Sequence, residues 1–132
     1  MLGVAVAYET MEFGPYSNRL SADPPAMWSI SWHADYPGPN DFLGILLRTG
    51  SSSNPGLWTS AEFDSAIDDA LATADPAAQR AAFDRAEALV QRDVPVVPIL
   101  YGEEWAIARD GLLGAIDNGM GGLRLAGLAW KS

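Results

Sequence analysis

The chain has 132 residues, with 17 acidic side chains against eight basic ones and a net charge of −9. That surplus of negative charge repels phosphate backbones and argues against nucleic acid as a partner. With no cysteine, disulfides, thiol catalysis and the commonest structural zinc ligands are excluded, and an apolar fraction of 48% with five tryptophans excludes a disordered chain.

A chain of this length can bury roughly two-thirds of its unfolded surface in one core, so residues 1–132 are expected to form a single domain. Its opening, MLGVAVAYETMEFG, lacks the positive start and the apolar length of an export signal, and Glu9 and Glu12 follow closely. No stretch approaches the roughly 20 apolar residues of a membrane span.

Residues 2–8 read as a buried strand, with Val4 and Val6 on one side and small residues between. Gly14, Pro15, Asp23, Pro24 and Pro25 break up the next stretch and leave room for a helical turn or two at 16–20. Residues 26–32, rich in Met, Trp and Ile, read as a second strand. The prolines of DYPGPND then turn the chain away, and residues 42–47 read as a short helix capped near Asn40 or Asp41. RTGSSSNPG reads as a solvated loop.

The clearest local pattern lies at 59–92. Thr59-Ser60-Ala61-Glu62 fits a capping box, and Phe63, Ile67, Leu71 and Ala74 recur at helical spacing. Asp75-Pro76 closes this helix and opens the next, the aspartate as N-cap and the proline in the first turn, where its missing N–H costs nothing. The second helix carries Ala82, Phe83, Ala86, Leu89 and Val90 on one stripe. Beyond it, Val96, Val97, Ile99 and Leu100 are strand formers, but Pro95 and Pro98 push that strand to an edge. Residues 104–109 and 123–130 read as further strands, with Gly111 and Gly114 allowing a turn between. Strands and helices in this order form an α/β pattern.

Three functional classes are open to these residues. The single histidine, His33, stands two residues before Asp35, and on a strand the two would share a face as a base and its orienter. A small hydrolase would use such a pair, although no GxSxG nucleophile motif accompanies it. Trp28, Trp32, Tyr36 and Trp58 could instead line an aromatic pocket, with Trp32 and Tyr36 at a strand's end, where α/β sheets collect ligands. A structural or dimerisation module, associating through exposed apolar surface, is the third class. Asp64, Asp68 and Asp69 fall on the helix predicted from Thr59 onward as a solvated acidic face, and no calcium-loop pattern appears.

Trp32-His33-Ala34-Asp35-Tyr36-Pro37-Gly38-Pro39 resembles the W-x-A-D-Y-P-x-P element of the family 5 extracellular solute-binding proteins, the peptide- and oligopeptide-binding receptors of ABC importers. WTSAEFDSAIDDALATAD resembles the family's acid-Phe-Asp segment and the helix after it. PAAQRAAFDRAEALVQRDVPVVPILY resembles its Arg-aromatic-Ala-Glu helix and the P-x-x-P strand that follows, and GLLGAIDN resembles a late turn. Together these cover about residues 26–117.

The resemblance implies an α/β fold, part of the second lobe of a type II periplasmic-binding-protein-like architecture, with a mixed sheet and packed helices. Family members are much longer two-lobed receptors, so the chain is expected to be a C-terminal fragment of one. The implied function is capture of a peptide or other small solute in an interlobe cleft, with no covalent chemistry, cofactor or metal. The implied setting is extracellular or periplasmic, with a membrane permease as partner of the full-length protein. Asp35 falls where peptide-binding members pair an acid with the ligand's α-ammonium. Trp32 and Tyr36 would line the pocket, and His33 occupies a variable position. Residues 27–31 offer no Arg or Lys for a ligand carboxylate. Surface exposed by truncation would favour homo-oligomers.

Overall fold

The computed structural model describes residues 3–103, 105, 107–115 and 125–131. Among them lie helices α1 (Phe13–Ala22), α2 (Pro39–Phe42), α3 (Gly44–Leu47), α4 (Ala61–Ala72) and α5 (Pro76–Asp93), and strands β1 (Leu112–Leu113) and β2 (Ala129–Trp130). They divide into two compact units, Met1–Ile30 and Ser31–Ser132.

The first unit is built on α1, which is longer than the turn or two expected. Arg19, in its last turn, donates to Glu9 at 2.8 Å, and Leu20 is buried. The Tyr16 hydroxyl donates to the Ser29 carbonyl at 2.8 Å and accepts from the Ser29 amide at 3.1 Å, tying the returning chain to the helix. The strand expected at 2–8 is not formed: residues 3–8 lack regular structure, and Val4, Val6 and Tyr8 are exposed. The strand expected at 26–32 is absent as well. Strand propensity measures how well a side chain fits beside a neighbouring strand. Among the described residues neither segment has such a neighbour.

In the second unit, α4 and α5 form the hairpin foreseen from the sequence. Asp75 caps α5 by accepting from the amides of Ala77 and Ala78, with Pro76 in the first turn. The α5 helix ends on Val94 in the left-handed region, directly before Pro95. The α4 cap sits one residue later than the expected box. Ser60, not Thr59, accepts from the Phe63 amide at 3.2 Å, and Glu62 turns away to Arg92 of α5. The buried face of α4 is Phe63, Ala66, Ile67 and Ala70, whereas Leu71 is half exposed and Ala74 lies past the helix end. Ala82, Phe83 and Ala86 of α5 are buried in the same core, and Leu89 and Val90 pack at its margin. Leu43 and Leu47 carry α2 and α3 onto that core, and the buried Asn54 donates to the Trp58 carbonyl at 2.8 Å, shaping the loop into α4.

The described sheet is a two-stranded antiparallel pair with Leu112 opposite Trp130, so a larger mixed sheet is not among the described residues. Residues 96–101 form no strand, with Ile99, Leu100 and Tyr101 exposed. Pro95 and Pro98 remove two ladder donors there, and among the described residues no partner strand supplies the rest. Residues 105 and 107–109 form no strand either, while Glu104 and Ala106 fall outside the described residues. Of the strand expected at 123–130, only Ala129 and Trp130 pair; residues 125–127 form a short 3₁₀ turn, and 123–124 lie outside the described residues.

Gly114 is required for this small sheet. Its φ is +79°, and a Cβ there would stand 2.0 Å from the Gly127 carbonyl oxygen. Gly114→Ala should therefore open the β1–β2 pair. The Lys131 amide, which donates to the Gly111 carbonyl at 2.8 Å, should lose its protection from hydrogen exchange while the α4 and α5 amides keep theirs. An equally protected Lys131 amide in the variant would refute this.

Candidate functional site

Residues 31–38 form an irregular segment that leads directly into α2. The α2 helix starts at Pro39 with Gly38 as its N-cap and no capping side chain. Asp41, expected as a cap, lies within the first turn and points inward, with none of its surface exposed. Its Oδ2 accepts from the Trp32 indole Nε1 at 2.9 Å and from the Asp35 backbone amide at 3.2 Å. A buried carboxylate is costly unless it is hydrogen-bonded, and these two donors meet that need at one oxygen. The other, Oδ1, is buried with no hydrogen-bond partner among the described residues.

Next to it, Asn40 Nδ2 donates to the Tyr36 hydroxyl at 2.7 Å. Gly44 leaves the room this needs, since a Cβ there would fall 2.1 Å from Asn40 Oδ1 and 3.2 Å from Ile67 Cγ2. Two consecutive residues of α2 thus hold the Trp32–Tyr36 segment, and Leu43, directly after α2, sits in the core with Phe63 and Ile67 of α4.

The four sequence-predicted site residues share this loop in different states. Trp32 is half buried, its indole N–H turned inward. Tyr36 is 38% exposed, its ring against Gly38. His33 is exposed. Asp35 is exposed, and among the described residues its carboxylate enters no hydrogen bond or ion pair; only its backbone is tied. The face-sharing argument for a His33–Asp35 base pair required a strand, and none forms at 26–34.

Other candidates resolve differently. Trp58 is partly buried and packs edge-on against Phe63, ring centres 5.0 Å apart, at the margin of the core. The aspartates of α4 are occupied. Asp64 accepts from the Thr49 amide, Asp68 pairs with Arg48, and Asp69 pairs with Arg85 at 2.8 Å. A surface groove of about 560 Å³ runs between α4 and α5, but Arg85–Asp69 and Arg92–Glu62 pairs neutralise its charges. Arg92 also bonds Asp93, and that hydrogen bond, reinforced by the guanidinium charge, holds the Asp93 carboxyl below its ordinary range. Exposed pairs of this kind add little stability. No described helix is long and apolar enough to cross a membrane.

Asp41 is the functional candidate that sequence reasoning placed wrongly. Its only local signal was an acid standing directly before the apolar run FLGILL, which reads equally well as a cap.

Known proteins align with most of this chain. A 100-residue stretch is 30% identical to "Probable deoxycholate-binding periplasmic protein YgiS" of Escherichia coli strain K12, and one of equal length is 31% identical to the periplasmic oligopeptide-binding protein OppA of Salmonella typhimurium. Each alignment takes in 76% of this chain and 18% of the relative. The oligopeptide-binding protein OppA of Bacillus subtilis is 23% identical over 91% of this chain and 22% of its own length. Over most of its length the chain is similar to family 5 extracellular solute-binding proteins. It spans about a fifth of the length of these family members. All three are named as binding proteins and none as an enzyme, and two are named periplasmic. No family model and no solved structure matches the chain.

Proposed function

We propose that the chain is part of the ligand-capture component of an ABC importer and grips a peptide or related small solute by its α-ammonium, without covalent chemistry. The observation that carries this reading is the Asp35 carboxylate, exposed and unpaired among the described residues on a loop whose backbone is fixed from behind. An ammonium placed there gains charge-assisted hydrogen bonds, which are shorter and stronger than neutral ones. Trp32 and Tyr36 supply contact area at low entropic cost, and His33 flanks them. Kinship with oligopeptide-binding proteins supports the ligand class.

In this reading residues 1–132 act as one domain within one lobe of a type II architecture, and strand-prone segments such as 96–101 belong to a sheet larger than the pair seen here. The setting is periplasmic or extracellular, with a membrane permease receiving the ligand.

One relative is named for deoxycholate, an anion that Asp35 would repel. The test therefore compares charges. Trialanine, N-acetyl-trialanine and deoxycholate are titrated into the chain and followed by NMR chemical shifts. Asp35→Asn should weaken trialanine binding about tenfold, as expected for one charged hydrogen bond of roughly 1.4 kcal/mol. N-acetylation, which removes the ammonium, should cost the unaltered chain a similar factor and the variant nothing further. Equal binding of trialanine and its acetylated form would refute the ammonium reading, and deoxycholate binding indifferent to Asp35→Asn would point to a different ligand class.

A further inference from the structure

We infer that Asp41 is a positioning residue of this site: it never meets the ligand, and it sets where the Asp35 backbone and the Trp32 indole stand. Its binding consequence rests on the ligand reading above; its structural consequence does not.

Among the described residues, Asp41 ranks with Phe63 and Ile67 as the largest side chains fully removed from solvent. A carboxylate in such company needs a reason, because burying it without partners is costly. Its partners are not those of a helix cap. One is the indole of Trp32, nine residues earlier, and the other is the amide of Asp35, six residues earlier. Both belong to the segment that presents the exposed carboxylate. From the other side, Asp41 is two residues from Leu43, which sits in the α4–α5 core. A continuous path therefore runs from the core through α2 to Asp41, and from Asp41 to the backbone that aims Asp35.

The geometry also separates position from charge. Both donors converge on Oδ2, while Oδ1 has no partner among the described residues. An asparagine keeps one carbonyl oxygen for both donors and puts its amide nitrogen where the unpartnered oxygen stood. It removes the negative charge and retains the attachment. Alanine removes both. A positioning role thus predicts that asparagine rescues what alanine loses. A role through charge alone predicts that the two substitutions are equally harmful.

The experiment uses the full chain, with exchange of the Trp32 indole proton and the Asp35 amide proton read by NMR alongside trialanine affinity. In the unaltered chain both protons should exchange at least about tenfold more slowly than in an unfolded peptide, as hydrogen-bonded groups do. Asp41→Ala should abolish that protection, leave the Ile67 amide of α4 protected, and weaken trialanine binding about as much as Asp35→Asn does. Asp41→Asn should restore both protection and affinity.

The inference is overturned if the two protons exchange freely in the unaltered chain, if Asp41→Ala leaves them protected, or if Asp41→Asn fails as fully as alanine while Ile67 stays protected. Should alanine unfold the whole chain, Asp41→Asn decides: retained protection supports the inference and lost protection defeats it. If trialanine does not bind the unaltered chain, the ligand reading fails, and the exchange results still decide the positioning role.

Discussion

Phe63→Ala is expected to lower the free energy of unfolding by about 3–5 kcal/mol, read from urea denaturation followed by circular dichroism. Phe63 is fully buried, and its ring is the surface against which Trp58 packs edge-on. It belongs to the cluster that gathers Leu43 and Leu47 from α2 and α3 together with the inner faces of α4 and α5. Truncation removes the transfer energy of the ring and leaves a cavity that flanking helices fill only partly. It also strips Trp58 of an aromatic contact worth about 0.5–1.5 kcal/mol beyond buried area. Set against a whole-domain stability of about 5–15 kcal/mol, the loss is a large share. A measured change below about 1 kcal/mol would mean that Phe63 is not the centre of the core. The same variant should loosen the Asp41 loop, because α2 reaches the core through Leu43.

What the sequence could reveal depended on how far each signal had to reach. The Asp75-Pro76 corner was legible because an N-cap acts on amides two and three residues away. The α4–α5 pair followed from it. The start of α4 was legible only to within a residue. Thr59 and Ser60 are both competent caps, and Glu62, which would have closed the box, has a better partner in Arg92, thirty residues on. The buried face of α4 was half legible. Phe63 and Ile67 fix it, but small Ala66 and Ala70 are buried where the larger Leu71 is not. The alanines of α5 that face this surface make that choice, and nothing local to α4 announces them.

Strands were the least legible, for a physical reason. Residues 3–8 and 96–101 have strand-forming composition, yet a strand exists only where another backbone accepts its hydrogen bonds. Among the described residues only Leu112–Leu113 and Ala129–Trp130 find one another. The Trp32–Tyr36 element was legible as a motif, whereas the residue that holds it was not. Asp41 works across six and nine positions through a loop, a spacing with no helical or strand periodicity.

Ala86→Leu should destabilise the chain by about 1–3 kcal/mol, the usual cost of forcing extra methylenes into a packed interior. Ala66 and Ala70 of α4 and Ala82 and Ala86 of α5 are all buried, so the two helices meet along a seam of small side chains. Short side chains let helix axes approach closely, and a leucine in the seam must push the axes apart or adopt a poor rotamer. The control is Ala81→Leu on the exposed side of the same helix. Alanine and leucine are both strong helix formers, so that substitution should change stability by no more than about 0.5 kcal/mol. The pair isolates packing from propensity, and equal effects at the two positions would refute the seam. Because α2 and α3 rest on this hairpin, displacement of α4 by the larger side chain should also shift the Trp32 indole resonance. The Ala81 variant should leave that resonance in place. A seam of buried alanines packs α4 and α5 into one core, and a loop anchored on such a core can hold one carboxylate ready for a ligand without binding energy being spent on ordering it.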